Sequence, residues 1–175
     1  EFKNEVMGEL IRFVSSHEFG HTIGLPHNMG SSSAYPVDSL RSATFTKKYG
    51  TAPSIMDYAR FNYVAQPGDD GVALMPSDWG TPNVGVYDIY AVKWGYKPIL
   101  DASEDEEKEI LRSWIREKED DLMFRFGPSG GIDPSAQTED LGDNAVKASE
   151  YGIANLKRIM PKLIEWTTED GETYE

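Results

Sequence analysis

Residues 17–28 read His17-Glu18-Phe19-Gly20-His21-Thr22-Ile23-Gly24-Leu25-Pro26-His27-Asn28. A helix advances ~100° per residue, so His17 and His21 fall one turn apart on the same face and their imidazoles can converge on one cation. Glu18 is rotated ~100° from His17. That sets a carboxylate beside the cation and not beneath it, where a base must sit to take a proton from an attacking water. Gly24 permits a sharp or left-handed turn that a residue with a Cβ resists. The turn brings His27 back as a third ligand, and three protein ligands leave the open position that a catalytic zinc needs. A chance His-Glu-x-x-His is common, and a lone histidine on an apolar helix face is usually a satisfied core residue. Here the chain holds only three histidines, and all of them lie in the extended motif.

Upstream, Val6, Leu10, Phe13 and Val14 share a face with His17 and His21, which predicts a helix over residues 3–25 punctuated by Gly24 and Pro26. The chain thus opens inside an element and reads as a fragment of a longer precursor. Downstream, residues 28–53 are loop-like, with some helix around Ser39–Thr44. Residues 54–82 read as irregular, with Pro67-Gly68-Asp69-Asp70-Gly71 as a turn cluster. Val86 to Trp94 is predicted as a short helix closed by Gly95 and Pro98. The composition then shifts. Asp101 to Glu109 is a charge run with Ser103 and Glu106 in capping-box spacing, leading into an amphipathic helix with Ile110, Leu111, Trp114 and Ile115. Residues 127–143 are a Gly, Pro and Asp-rich connection. A last helix is expected from Asn144 to Met160, ended or interrupted by Pro161. The division expected is a zinc-binding region over residues 1–100 and a helical extension over residues 101–175.

The 175 residues suffice for one domain, or a domain with an extension, and 39% hydrophobic content supplies a core. No apolar run approaches the ~20 residues of a spanning helix, and no basic stretch leads into an apolar one as in a signal peptide. A formal net charge of -13 repels phosphate backbones, so nucleic acid is not an expected partner. Without cysteine there is neither a disulfide framework nor a thiolate site, and a transition metal must be held by His, Asp, Glu or Tyr. The acidic run at 101–109 could face a basic partner. It reads better as a solvated helix start with favourable dipole placement.

A second motif, Ser54-Ile55-Met56-Asp57-Tyr58, resembles the Met-turn of metzincin metallopeptidases, and the long zinc motif paired with a Met-turn is the signature of that class. The resemblance implies that Met56 is an apolar floor beneath the metal, a role that suits a soft thioether. Tyr58 matches the tyrosine of the astacin and serralysin branches, which implies a group that ligates zinc and swings to stabilise the oxyanion. Tyr87 to Tyr96 resembles the last helix of metzincin catalytic domains, although Gly95-Tyr96 reverses the usual Tyr-Gly stop. Residues 17–34 and 54–70 are similar to a family of large bacterial extracytoplasmic zinc-dependent metalloproteases of unknown substrate. His27-Asn28, Ser54 to Tyr63 and Ala65-Gln66-Pro67-Gly68-Asp69 carry that likeness. In the extension, Asp133-Pro134, Gln137 and Glu139 to Asp143 add to it.

The resemblance implies a mainly α fold: the C-terminal, lower half of a metzincin-like catalytic domain plus a helical extension, with the upstream β-sheet missing from this chain. It implies a zinc endopeptidase acting on peptide or protein substrate in an extracytoplasmic setting, whether periplasmic, cell-surface or secreted. His17, His21 and His27 would hold Zn2+, Glu18 would be the general base with Tyr58 assisting, and Gly24 and Met56 would shape the site. The sheet that presents substrate would be absent, so weak or no peptidase activity is expected of this fragment alone. Two alternatives stay open. In a gluzincin a downstream glutamate, here Glu150 or Glu165, would replace His27. In a structural zinc staple within a protein-binding domain Glu18 would be incidental, and an intact Glu18 argues against it. Asn28, Asp57, Arg60, Asp69 and Asp70 are polar and near the site in sequence, but their spacing follows no calcium-loop pattern and assigns them no role.

Overall fold

A computed structural model describes residues 2–75, 84–128 and 130–173. The leading helix, α1, spans Phe2–Thr22. Its inward face carries Phe13, His17 and Gly20, flanked by the half-buried Leu10, Ser16 and His21. Val14, which periodicity puts on that face, is 49% exposed. It stands ~100° on from Phe13, at the edge of the buried face far from Gly20. The helix stops short of the predicted Leu25. Leu25 N–H bonds the Gly20 carbonyl and Gly24 N–H bonds the His21 carbonyl, both at 3.0 Å, while Gly24 takes φ 85°. This is a Schellman closure, which a left-handed glycine makes at little cost.

The segment after His27 folds in short pieces. Two 3₁₀ turns cover Ser32–Ala34 and Val37–Arg41, and α2 runs over Ala43–Tyr49. The helix expected around Ser39–Thr44 is therefore split, because Ser42 leaves helical geometry to accept the Phe45 N–H as an N-cap. The irregular stretch read from residue 54 is irregular through residue 75, and its remainder lies outside the described residues. The turn cluster at 67–71 is tied down by Arg41, which donates to both carboxylate oxygens of Asp69 at 2.7 and 2.9 Å.

Four further α-helices follow among the described residues. α3 spans Val86–Tyr96, α4 Glu104–Arg116, α5 Ala145–Ile159 and α6 Leu163–Thr167. Gly95 does not close α3, as its sequence position suggests, but lies within it. The predicted capping box opens α4: Ser103 N–H donates to Glu106 Oε2 at 2.8 Å, and Glu106 N–H returns to Ser103 Oγ. Asn144 caps α5 by accepting from Lys147 N–H at 3.0 Å. Pro161 interrupts the run without ending it. It sits at the start of a 3₁₀ turn, Met160–Lys162, where its missing N–H is not needed, and α6 follows directly.

No strand occurs among the described residues, and the fold is mainly α. Two apolar clusters hold it. Tyr35, Val37, Leu40, Ala52, Ala59 and Val64 pack with Leu141 and Ala148, so the segment beyond residue 100 is buried against the segment before it. Leu141, 1% exposed, contributes about 1.5–3 kcal/mol by leaving water. The second cluster, Phe13, Ile55 and Met56 with Leu25 against it, lies beside the histidine-bearing end of α1.

Candidate metal centre

The three histidines converge. Their ligating atoms lie within 4.8 Å of one another, and His21 Nε2 is 3.1 Å from His27 Nε2. The backbone decides which nitrogen faces the centre. His17 Nδ1 donates to the Ile55 carbonyl at 2.8 Å and His21 Nδ1 to the Leu25 carbonyl at 2.9 Å. In that tautomer each Nε2 keeps its lone pair for a metal. His17 is 4% exposed, and its Nε2 is buried with no hydrogen-bond partner among the described residues. Such an atom costs about 1–3 kcal/mol if nothing takes it, and a cation would. An all-imidazole donor set suits zinc and neighbouring transition metals. Burial lowers the His27 pKa, the charges of His17 and His21 lower it further, and Glu18 partly opposes them, which favours the neutral form that can ligate a metal. Glu150 and Glu165 do not belong to this group.

Residues 54–58, read as a Met-turn, pack against the histidine-bearing end of α1. Met56 is fully buried and packs with Phe13 and Ile55. A Cβ on Gly20 would stand 2.4 Å from Met56 Sδ, so glycine between the two histidines is what lets the thioether come so close. Glu18 is on the exposed side of α1, near enough for its charge to act on His27. The Tyr58 ring stands 4.7 Å from that of His27 and 5.3 Å from that of His17. Glu18, Tyr58 and Met56 are thus gathered around the histidines.

One residue that holds the site together has no role in the sequence reading. Asp88, on α3, is 3% exposed. It accepts from Ser54 Oγ at 2.6 Å and from the N–H groups of Ile55 and Gly85, each at 2.8 Å. Ser54 Oγ accepts in turn from Met56 N–H at 3.1 Å. Asp88 therefore fixes the backbone whose Ile55 carbonyl orients His17. Its place in the first turn of α3 is legible; its partners more than thirty residues away are not. Alanine at position 88 strands two buried donors, Ser54 Oγ and Ile55 N–H, at about 1–3 kcal/mol each, and the half-buried Gly85 N–H. The expected loss is at least about 2 kcal/mol in denaturant unfolding, with asparagine costing less. A loss under about 1 kcal/mol for Asp88→Ala would show that these bonds do not hold the turn.

Two of the unassigned polar residues prove to be braces. Asn28 donates through Nδ2 to the Arg125 carbonyl at 2.9 Å and accepts at Oδ1 from Gly127 N–H at 2.8 Å, pinning the chain after His27 to residues 125–127. Asp57, fully buried, accepts at Oδ2 from Ser31 Oγ and Ser32 N–H at 3.0 and 2.8 Å. Its Oδ1 has no partner among the described residues. Burial pushes its pKa up to about 7 against these donors. A carboxyl whose folded pKa is raised binds its proton better folded than unfolded. Its stabilisation is complete below about pH 4 and is lost as pH rises through about 7. Asp57→Asn keeps an acceptor for the two serines and removes the titration. The unfolding free energy of the variant should fall less between about pH 4 and about pH 8 than that of wild type, by on the order of 4 kcal/mol. Parallel pH profiles would sink this reading.

The sequence matches the profile of a family described as Met-zincin over residues 1–175. No curated protein and no solved structure matches it.

Proposed function

The chain belongs to the Met-zincin family, and from that premise we propose that it is a zinc-dependent endopeptidase in which Glu18 is the general base. The observation that carries the reading is the convergence of His17, His21 and His27, with the buried His17 Nε2 lacking any other partner. These three residues would hold the zinc. Bound there, the metal would lower the pKa of a water and polarise the scissile carbonyl. The carbonyls of Ile55 and Leu25 keep the His17 and His21 rings turned to it. Glu18 takes the proton of the attacking water and passes it to the leaving amine. The Tyr58 phenol donates to the developing oxyanion.

A structural staple is the competing reading. Structural zinc sites are closed by four protein ligands, whereas this group offers three histidines beside an exposed carboxylate, which supports the catalytic reading. The test is cleavage of an unstructured protein such as casein by the full-length enzyme. Cleavage should stop with a chelator and return with zinc. Stoichiometric zinc with no cleavage of any peptide by the full-length enzyme would favour the staple. No helix among the described residues is long and apolar enough to cross a membrane. We place the enzyme outside the cytoplasm on the resemblance given above, which fractionation of the native cells checks directly.

A further inference from the structure

Arg60 follows Tyr58 by two residues, with the buried Ala59 between them anchored in the larger core. Its guanidinium carbon lies 4.6 Å from the Tyr58 ring centroid, and its Nε is 3.3 Å from Glu139 Oε1. The two side chains are 45% and 53% exposed, so as an isolated ion pair they would contribute little. Glu139 is not isolated. Its backbone is in the left-handed region at φ 66°. The next residue, Asp140, accepts from Ser32 Oγ, and Leu141 is buried among Tyr35, Val37 and Ala148. The carboxylate is thus presented from a fixed stretch, and the guanidinium it holds lies over a ring that faces His17 and His27.

We propose that Arg60, held by Glu139, is a positioning residue that clamps the Tyr58 ring on the metal side of the site. Through Glu139, the segment at 127–143 becomes part of the catalytic apparatus. The inference rests on Tyr58 being the group that ligates the metal and swings to the oxyanion, as the resemblance above implies. The guanidinium attracts the electron-rich face of the ring, and freeing the ring lets it leave the histidines and turn to solvent. A cation–π contact at a half-exposed position corresponds to roughly a two- to fivefold change in the population of the clamped ring.

Copper(II) in place of zinc makes the position of Tyr58 visible, since a phenolate on copper gives a charge-transfer band that Tyr58→Phe removes. Arg60→Ala is expected to weaken this band roughly two- to fivefold. Glu139→Gln should weaken it less, and Arg60→Lys should restore most of it. Zinc affinity, set by histidines that none of these changes touches, should be unchanged. A band as strong in Arg60→Ala as in wild type overturns the clamp, and so does a loss that merely follows a loss of bound metal. Failure of the underlying reading looks different. Wild-type protein that binds copper without a Tyr58-dependent band removes the role of Tyr58 and this inference with it.

Discussion

Replacing Glu18 by glutamine is expected to abolish peptide hydrolysis by the full-length enzyme and to leave the metal in place. The amide has the shape of the carboxylate but cannot accept a proton, and general-base catalysis of this kind contributes about 10²–10⁴-fold in rate. Glu18 is exposed and is not one of the converging ligand atoms, so the histidines need nothing from it to hold zinc. Both halves of the expectation are measurable on one preparation, kcat/KM on a casein-like substrate beside zinc content. A variant with the wild-type rate would show that Glu18 is not the base. A variant that loses its zinc would show that the carboxylate is part of the metal site.

Replacing His27 by alanine is expected to strip the metal. His27 is brought to the other two histidines by the Schellman turn at Gly24, and its ring packs against those of His21 and Tyr58 at 4.7 Å each. Loss of a hydrogen bond that merely supports a ligand costs about 10–100-fold in metal affinity. Loss of one of three ligands should exceed that. Competition with a chromophoric chelator reads the affinity. Zinc-dependent thermal stabilisation should shrink in parallel, because a ligand that binds only the folded state raises stability in proportion to the logarithm of its occupancy. If His27→Ala retains zinc nearly as well as wild type, another group is the third ligand, as in the gluzincin alternative.

What was legible in the sequence is what local geometry determines. The spacing of His17 and His21, the turn at Gly24, the capping box at Ser103 and Glu106 and the start of the last helix near Asn144 are all set within a few residues, and each is found where it was expected. The Met-turn was legible by resemblance. Its packing under α1 also explains Gly20, where a Cβ would meet Met56 Sδ. The misses share a cause. Val14 lies within the arc that periodicity allows, but the edge of a buried face is set by whatever packs on it. Gly95 signals a stop, yet α3 runs through it to Tyr96, whose hydroxyl donates to the Ile23 carbonyl at 2.7 Å and braces the turn before His27. The reach of Asp88 to Ser54 and Ile55, of Asn28 to residues 125–127, and of Leu141 into the core are tertiary contacts. No spacing rule within one segment foretells them.

The central claim is an open zinc site built by three histidines, and X-ray absorption at the zinc edge of the zinc-loaded protein tests it most directly. One zinc per chain is expected, with three imidazole nitrogens at about 2.0–2.1 Å and a shell completed by oxygen from solvent, alone or with the Tyr58 phenol. A shell of two imidazoles with a protein carboxylate, a shell closed by four protein ligands, or a purified protein that takes up no stoichiometric zinc would contradict it.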